Sequence, residues 1–118
     1  MTPLTTAKKI VKALEDLKGE QIVRLDVRKL TSITDFMIIA SGRSNRQVRA
    51  MADRVIEFAK QHDLPLLGSE GQELGEWVLV DLGDVIVHLM QPSIRDYYQL
   101  ERLWDIDQAP ALAERSGT

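Results

Sequence analysis

The strongest alternation of hydrophobic and polar positions lies in Glu76–Met90, EWVLVDLGDVIVHLM. Two runs of strand-forming residues, Trp77–Leu82 and Val85–Met90, flank the turn signal Gly83-Asp84 and predict a β-hairpin. Closing it on those two residues sets Leu82 opposite Val85 and Trp77 opposite Met90. Successive strand side chains point to opposite faces, so Val78, Val80, Leu82, Val85, Val87 and Leu89 share one face. Trp77, Leu79, Asp81, Ile86, His88 and Met90 share the other. A turn on Leu82-Gly83 leaves that partition unchanged, although Asp81 then meets Asp84, a like-charge pair. The first face is wholly apolar and must be core. The second mixes an indole, a carboxylate, an imidazole and a thioether, and is either covered by a helix or offered to a partner.

The rest of the chain reads as elements around this hairpin. Ala7, Ile10, Val11, Leu14 and Leu17 recur at helical spacing behind a cap at Thr5 or Thr6, and Gly19 is the expected stop. Its cationic positions are few and mixed with acids, which favours a packed surface helix over a membrane-binding one. Gln21–Val27 alternates as a strand, and Arg28–Thr34 is a polar connection. Asp35–Ser41, DFMIIAS, has no polar side and predicts a central strand buried on both faces. Ser44 to Gln47 has the capping-box pattern, and Val48, Met51, Ala52, Val55, Phe58 and Ala59 then repeat as one helical face over Asn45–His62. Leu64–Leu67 is expected to be an edge strand because Pro65 lacks a donor, and Gly68–Gly75 to be an acidic, glycine-rich loop. Ser93 with Asp96 marks a last helix, with Tyr97, Leu100, Leu103 and Trp104 on one side and Trp104 in the core. The order α-β-β-α-β-β-β-α predicts an α/β fold with a mixed sheet of about five strands and flanking helices. One domain over residues 1–105 is expected, with 106–118 a loose tail.

Composition narrows the chemistry. A net charge of −3 over 118 residues, with pI near 5.3, argues against a protein that coats nucleic acid and favours a neutral or basic partner. The chain has no cysteine, which excludes disulfides and thiolate metal sites and fits a reducing cytosol. No secretory signal and no bilayer-spanning apolar run is visible. Gly42–Arg46, with Arg43, Arg46 and Arg49, could hold an anion at a helix start, but the Walker and dinucleotide fingerprints are missing. A capped, solvated helix start is the plainer reading. Asp26, Asp35, Asp81 and Asp84 lie at strand ends, yet those strands carry no Asp-x-Asp pair to hold magnesium, the only such spacing being Asp105/Asp107 near the tail. His62 and His88 are the only histidines, and His88 is expected near Asp81 across the hairpin, without a nucleophile to complete a triad. Trp77 on the mixed face is either core or an interface anchor.

Three ordered blocks carry a resemblance: DFMIIASGRSNRQVRAMAD (Asp35–Asp53), WVLVDLGDVIVH (Trp77–His88) and RDYYQLERLW (Arg95–Trp104). Together, within a similarity running from Leu4 to Trp104, they resemble the ribosomal silencing factor family, also called Iojap-like. The resemblance implies a nucleotidyltransferase-like fold without catalytic activity or cofactor, in a cytosolic bacterial protein that is typically a homodimer. It implies a translational repressor that binds the large ribosomal subunit through the universal protein L-fourteen. Holding that inter-subunit face blocks subunit joining when nutrients are scarce. Within this reading the partner contact is expected on Trp77, Asp81, Asp84 and His88, with at most a peripheral ribosomal RNA contact by Arg43 and Arg46 and none to DNA or membrane. The alternatives are a nucleotidyltransferase-like enzyme using Asp81 or Asp84, and a general adaptor whose hairpin binds another protein.

Overall fold

The hairpin forms in the register that its alternation requires. In the computed structural model, which describes residues 1–98, β4 (Trp77–Asp81) pairs antiparallel with β5 (Val85–Met90), Trp77 opposite Met90 and Asp81 opposite Ile86. The turn closes through Leu82 N–H to the Val85 carbonyl at 2.9 Å, and the Asp81 carboxylate accepts from Gly83 N–H at 2.8 Å. The remaining elements are α1 (Pro3–Asp16), β1 (Glu20–Asp26), β2 (Phe36–Ser41), α2 (Asn45–Gln61), β3 (Gly68–Glu70) and α3 (Pro92–Tyr98). The predicted helical positions Leu100, Leu103 and Trp104, and the tail 106–118, lie outside the described residues.

The sheet has five strands in the order β1-β2-β5-β4-β3, with β2 and β5 parallel and its other neighbours antiparallel. The parallel pair follows from the β2–glycine–α2 unit, whose helix carries the chain back across the sheet. Every residue of β2 is buried, as a strand without a polar side demands. Phe36, Ile38 and Ala40 join the larger core with Val78, Val80, Leu82, Val85, Val87 and Leu89. Met37 and Ile39 face the other way, into a smaller cluster with Leu25, Val27 and Met90. Trp77 and Ile94 pack against that smaller cluster.

Two helices close the larger core. All six apolar positions read on α2 are buried there, each contributing roughly 1.5–3 kcal/mol for a full-sized side chain. Ser44 caps α2, accepting from Gln47 N–H at 3.1 Å. The reciprocal half of the capping box differs from the pattern. Gln47 Oε1 accepts from Arg43 N–H at 2.8 Å, while its Nε2 donates to the carbonyls of Leu17 and Lys18 at 3.2 and 3.1 Å. One amide therefore starts α2 and satisfies the end of α1.

Three local expectations are corrected. The cap of α1 is Thr2, whose hydroxyl accepts from Thr5 N–H at 3.1 Å. Pro3 at the first helical position extends the helix upstream, because its fixed φ suits that position and its missing N–H costs nothing there. At the other end the helix stops at Asp16, and Lys18 rather than Gly19 takes the left-handed conformation, with φ 66°. Finally, Leu64–Leu67 is not a strand: Leu64 N–H turns back to the Ala59 carbonyl and Pro65 has no donor, and although Leu67 N–H donates to the Asp81 carbonyl at 2.8 Å, the edge strand runs over Gly68–Glu70. The edge strand is thus the first part of the segment read as a glycine-rich loop.

Candidate partner-binding site

The mixed face of the hairpin is organised by one hydrogen bond. Trp77 and His88 project from the same face of β4 and β5, and the indole Nε1–H donates to His88 Nδ1 at 3.0 Å. Their rings lie 5.9 Å apart and tilted by 50°. Accepting at Nδ1 requires a neutral imidazole with its proton on Nε2. His88 is 6% exposed, and burial pushes its pKa down to about 4. The imidazole therefore acts as a neutral acceptor that fixes the indole. A half-buried tryptophan held by a buried partner is stiff, and a stiff aromatic side chain loses little entropy on binding.

The four residues singled out from the sequence divide into two places. Trp77 and His88 form the unit just described. Asp81 lies at the end of β4 opposite Ile86, diagonal to His88 on the same face, and its carboxylate accepts from Gly83 N–H while His88 accepts from Trp77. His88 faces Leu79 in the register. Asp84 is exposed at the turn, and its carbonyl accepts from the N–H groups of Asp35 and Phe36 at 3.0 and 3.1 Å, pinning the turn to the start of β2. Asp81 and Asp84 thus serve the turn while leaving carboxylate charge at its surface.

The structure adds residues that sequence reasoning passed over as linker. A hollow of about 330 Å³ on one side of Trp77 is lined by Glu70, Gly71, Trp77 and Leu79. A second, of about 190 Å³, is lined by Gly71, Leu74, Glu76, Trp77 and Ile94. Trp77 lines both, and the two hollows adjoin there. Gly71 also lines both, with φ +94°, and a Cβ there would stand 2.0 Å from the Trp77 carbonyl oxygen. Only glycine permits that approach. Leu74 is 69% exposed at the rim. The one available signal was an isolated leucine among the polar residues of Gly68–Gly75, a pattern too short for any periodicity.

Charge is partitioned along the chain. Residues 61–98 carry seven carboxylates and a single basic residue, Arg95, whereas residues 1–60 carry twelve lysines and arginines against seven carboxylates. Arg95 is buried and donates to Ser41 Oγ at 2.9 Å. Beside Trp77 the exposed carboxylates are Glu70 and Glu76. The start of α2 lies at the Trp77 end of the sheet and brings basic residues there: Arg49 donates to the Glu73 carbonyl at 3.0 Å, Arg43 is exposed and paired with Glu20 at 2.7 Å, and Arg46 is exposed. Among the described residues no three His, Asp or Glu groups come together in a way that could hold a metal ion. No described helix is long and apolar enough to cross a membrane.

Comparison with known proteins identifies the family. The family model described as "Ribosomal silencing factor during starvation" matches residues 1–117. The ribosomal silencing factor RsfS of Chromobacterium violaceum is 52% identical over 107 residues, covering 91% of this chain and 87% of that protein. Its counterpart from Haemophilus influenzae is 50% identical over 95 residues, covering 80% and 93%. A crystal structure of a Chromobacterium violaceum protein superimposes with a TM-score of 0.86 at 52% identity, covering 88% of this chain and 87% of that one. With the family model spanning nearly the whole sequence and the fold shared at this level, the chain belongs to the family of ribosomal silencing factors.

Proposed function

We propose that this chain represses translation by binding the large ribosomal subunit through its L-fourteen protein, so that the small subunit cannot join when nutrients are scarce. The observation that carries this reading is the His88-braced Trp77 flanked by the exposed carboxylates Glu70 and Glu76. Ribosomal proteins are basic, and carboxylates beside an aromatic anchor are the complement such a surface calls for. The contact is made by Trp77, with Asp81 and Asp84 steering association from the turn and His88 acting through its hold on the indole. The repressor works in the bacterial cytosol as a single domain over residues 1–105, and the free chain is a symmetric homodimer. Any contact by Arg43 and Arg46 with ribosomal RNA is peripheral.

The test is reconstitution. Purified large subunits incubated with the chain should carry it through a sucrose gradient, and added small subunits should then fail to form whole ribosomes. Chain that stays at the top of the gradient, or subunits that join at the normal rate with bound chain, would overturn the proposal. Light scattering at tens of micromolar checks the dimer, which a monomer mass would exclude.

A further inference from the structure

We infer that the two hollows beside Trp77 receive a pair of basic side chains from one segment of the partner, with their cationic heads set against Glu70 and Glu76. This rests on the proposed reading that the region docks a ribosomal protein, and it says which partner residues are read and by what. The hollows share Trp77 and Gly71, so whatever fills one lies beside whatever fills the other. Each combines an apolar wall with one carboxylate. The first has Leu79 and the indole with Glu70, and the second has Leu74, Ile94 and the indole with Glu76. A small-molecule site is a poor match. Such sites run from about 300 to 1,000 Å³ and enclose most of the ligand, whereas these hollows are at or below that size and open to solvent.

A lysine or arginine side chain matches both surfaces of such a hollow. Its methylene stem covers apolar area while its head stays at the wet edge. Neither Glu70 nor Glu76 is engaged in an ion pair among the described residues, and both are exposed. A guanidinium or ammonium over the indole gains a cation–π contact as well. Charge complementarity selects this occupant over an acidic or purely aliphatic one, because the charged residue lining each hollow is a carboxylate, Glu70 in the first and Glu76 in the second. The braced indole then sets the separation between the two basic residues, which makes Trp77 an element of specificity as well as of affinity.

The experiment titrates the full chain against isolated L-fourteen protein and against purified large subunits, at low and at physiological salt. Glu70→Gln and Glu76→Gln remove charge while keeping shape, and a thermal melt confirms that each folds. Each should weaken binding about tenfold, as expected for loss of a close charge pair, and should make binding less sensitive to salt. Glu70→Lys should be rescued by at least one member of a panel of single Lys→Glu or Arg→Glu replacements in L-fourteen. If both glutamine variants bind within twofold of the parent while Trp77→Ala binds weakly, the hollows do not take cations and this inference is overturned, although the docking reading stands. If the parent chain itself binds neither L-fourteen nor the large subunit, both fall together.

Discussion

Replacing Trp77 by phenylalanine isolates the hydrogen bond on which the mixed face depends. The ring and most of its contact with the smaller core survive, and the Nε1–H that donates to His88 at 3.0 Å is lost. A typical intramolecular hydrogen bond contributes a net ~1 kcal/mol, and leaving a buried acceptor unpaired costs about 1–3 kcal/mol. His88 is 6% exposed, but its partner borders two open hollows, so water can approach and the low end of that range applies. Trp77→Phe should therefore lose about 1–2 kcal/mol of folding stability. Trp77→Ala should lose more, about 3 kcal/mol. It vacates a half-buried side chain worth roughly 2 kcal/mol at ~25 cal/mol per Å² and also strands the imidazole. Urea unfolding of the three proteins measures both differences, and the slope of each transition checks that it stays two-state. A Trp77→Phe protein within about 0.3 kcal/mol of the parent would show that the indole–imidazole bond contributes nothing. A loss above about 4 kcal/mol would place Trp77 among the fully packed core residues and refute its role as an anchor.

His88 has its pKa lowered in the fold to about 4 from 6.5. The unfolded chain therefore binds the extra proton between those values, and stability that is full above pH 6.5 should fall by about 3 kcal/mol toward pH 4. Urea melts at pH 7 and pH 4.5 read this, and His88→Asn should flatten the difference. Met51→Ala, at a fully buried position on α2, should cost about 2–5 kcal/mol in the same assay. Gly71→Ala should destabilise by at least about 1 kcal/mol, since φ is +94° and the added methyl meets the Trp77 carbonyl. Replacing both Arg43 and Arg46 by alanine should leave stability within about 0.5 kcal/mol, because both are exposed and the Arg43–Glu20 pair is solvent-screened.

Where periodicity was long, sequence and structure agree. The alternation of β4 and β5 set the hairpin register to the residue, and the six-residue apolar stripe of α2 set which face is buried. The two-sided burial of β2 was visible because no polar side chain interrupts it. What escaped was decided by single backbone groups. Thr2 outcompeted Thr5 and Thr6 as cap through Pro3, and the missing N–H of Pro65 moved the edge strand to Gly68–Glu70. At the site, alternation placed Trp77 and His88 on one face, but nothing in the spacing could distinguish an Asp81 partner for His88 from a Trp77 partner. That choice depends on a turn amide claiming the Asp81 carboxylate first, at 2.8 Å. The hollows were illegible for a related reason: their walls come from β3, β4, α3 and the turn between β3 and β4, and no local pattern records that convergence.

The fold separates the surface that would bind from the core that holds it. The apolar face of the hairpin is sealed by α1 and α2, and its residues Val78, Val80, Val85, Val87 and Leu89 are each 0% exposed. The opposite face rests on a smaller cluster and ends in exposed carboxylates and a half-buried indole. Because side chains alternate along β4, Val78 and Val80 can be fixed by packing while Trp77 and Leu79, on the other face, vary in what they meet. Substitutions at Glu70 or Glu76 should accordingly change association without moving the melt, whereas Val80→Ala should lower the melt and leave the affinity of the folded fraction alone. Measuring stability and ribosome binding on that one trio decides whether the separation holds. A Val80→Ala protein that stays folded yet binds tenfold more weakly would show that core and docking face are coupled through β4.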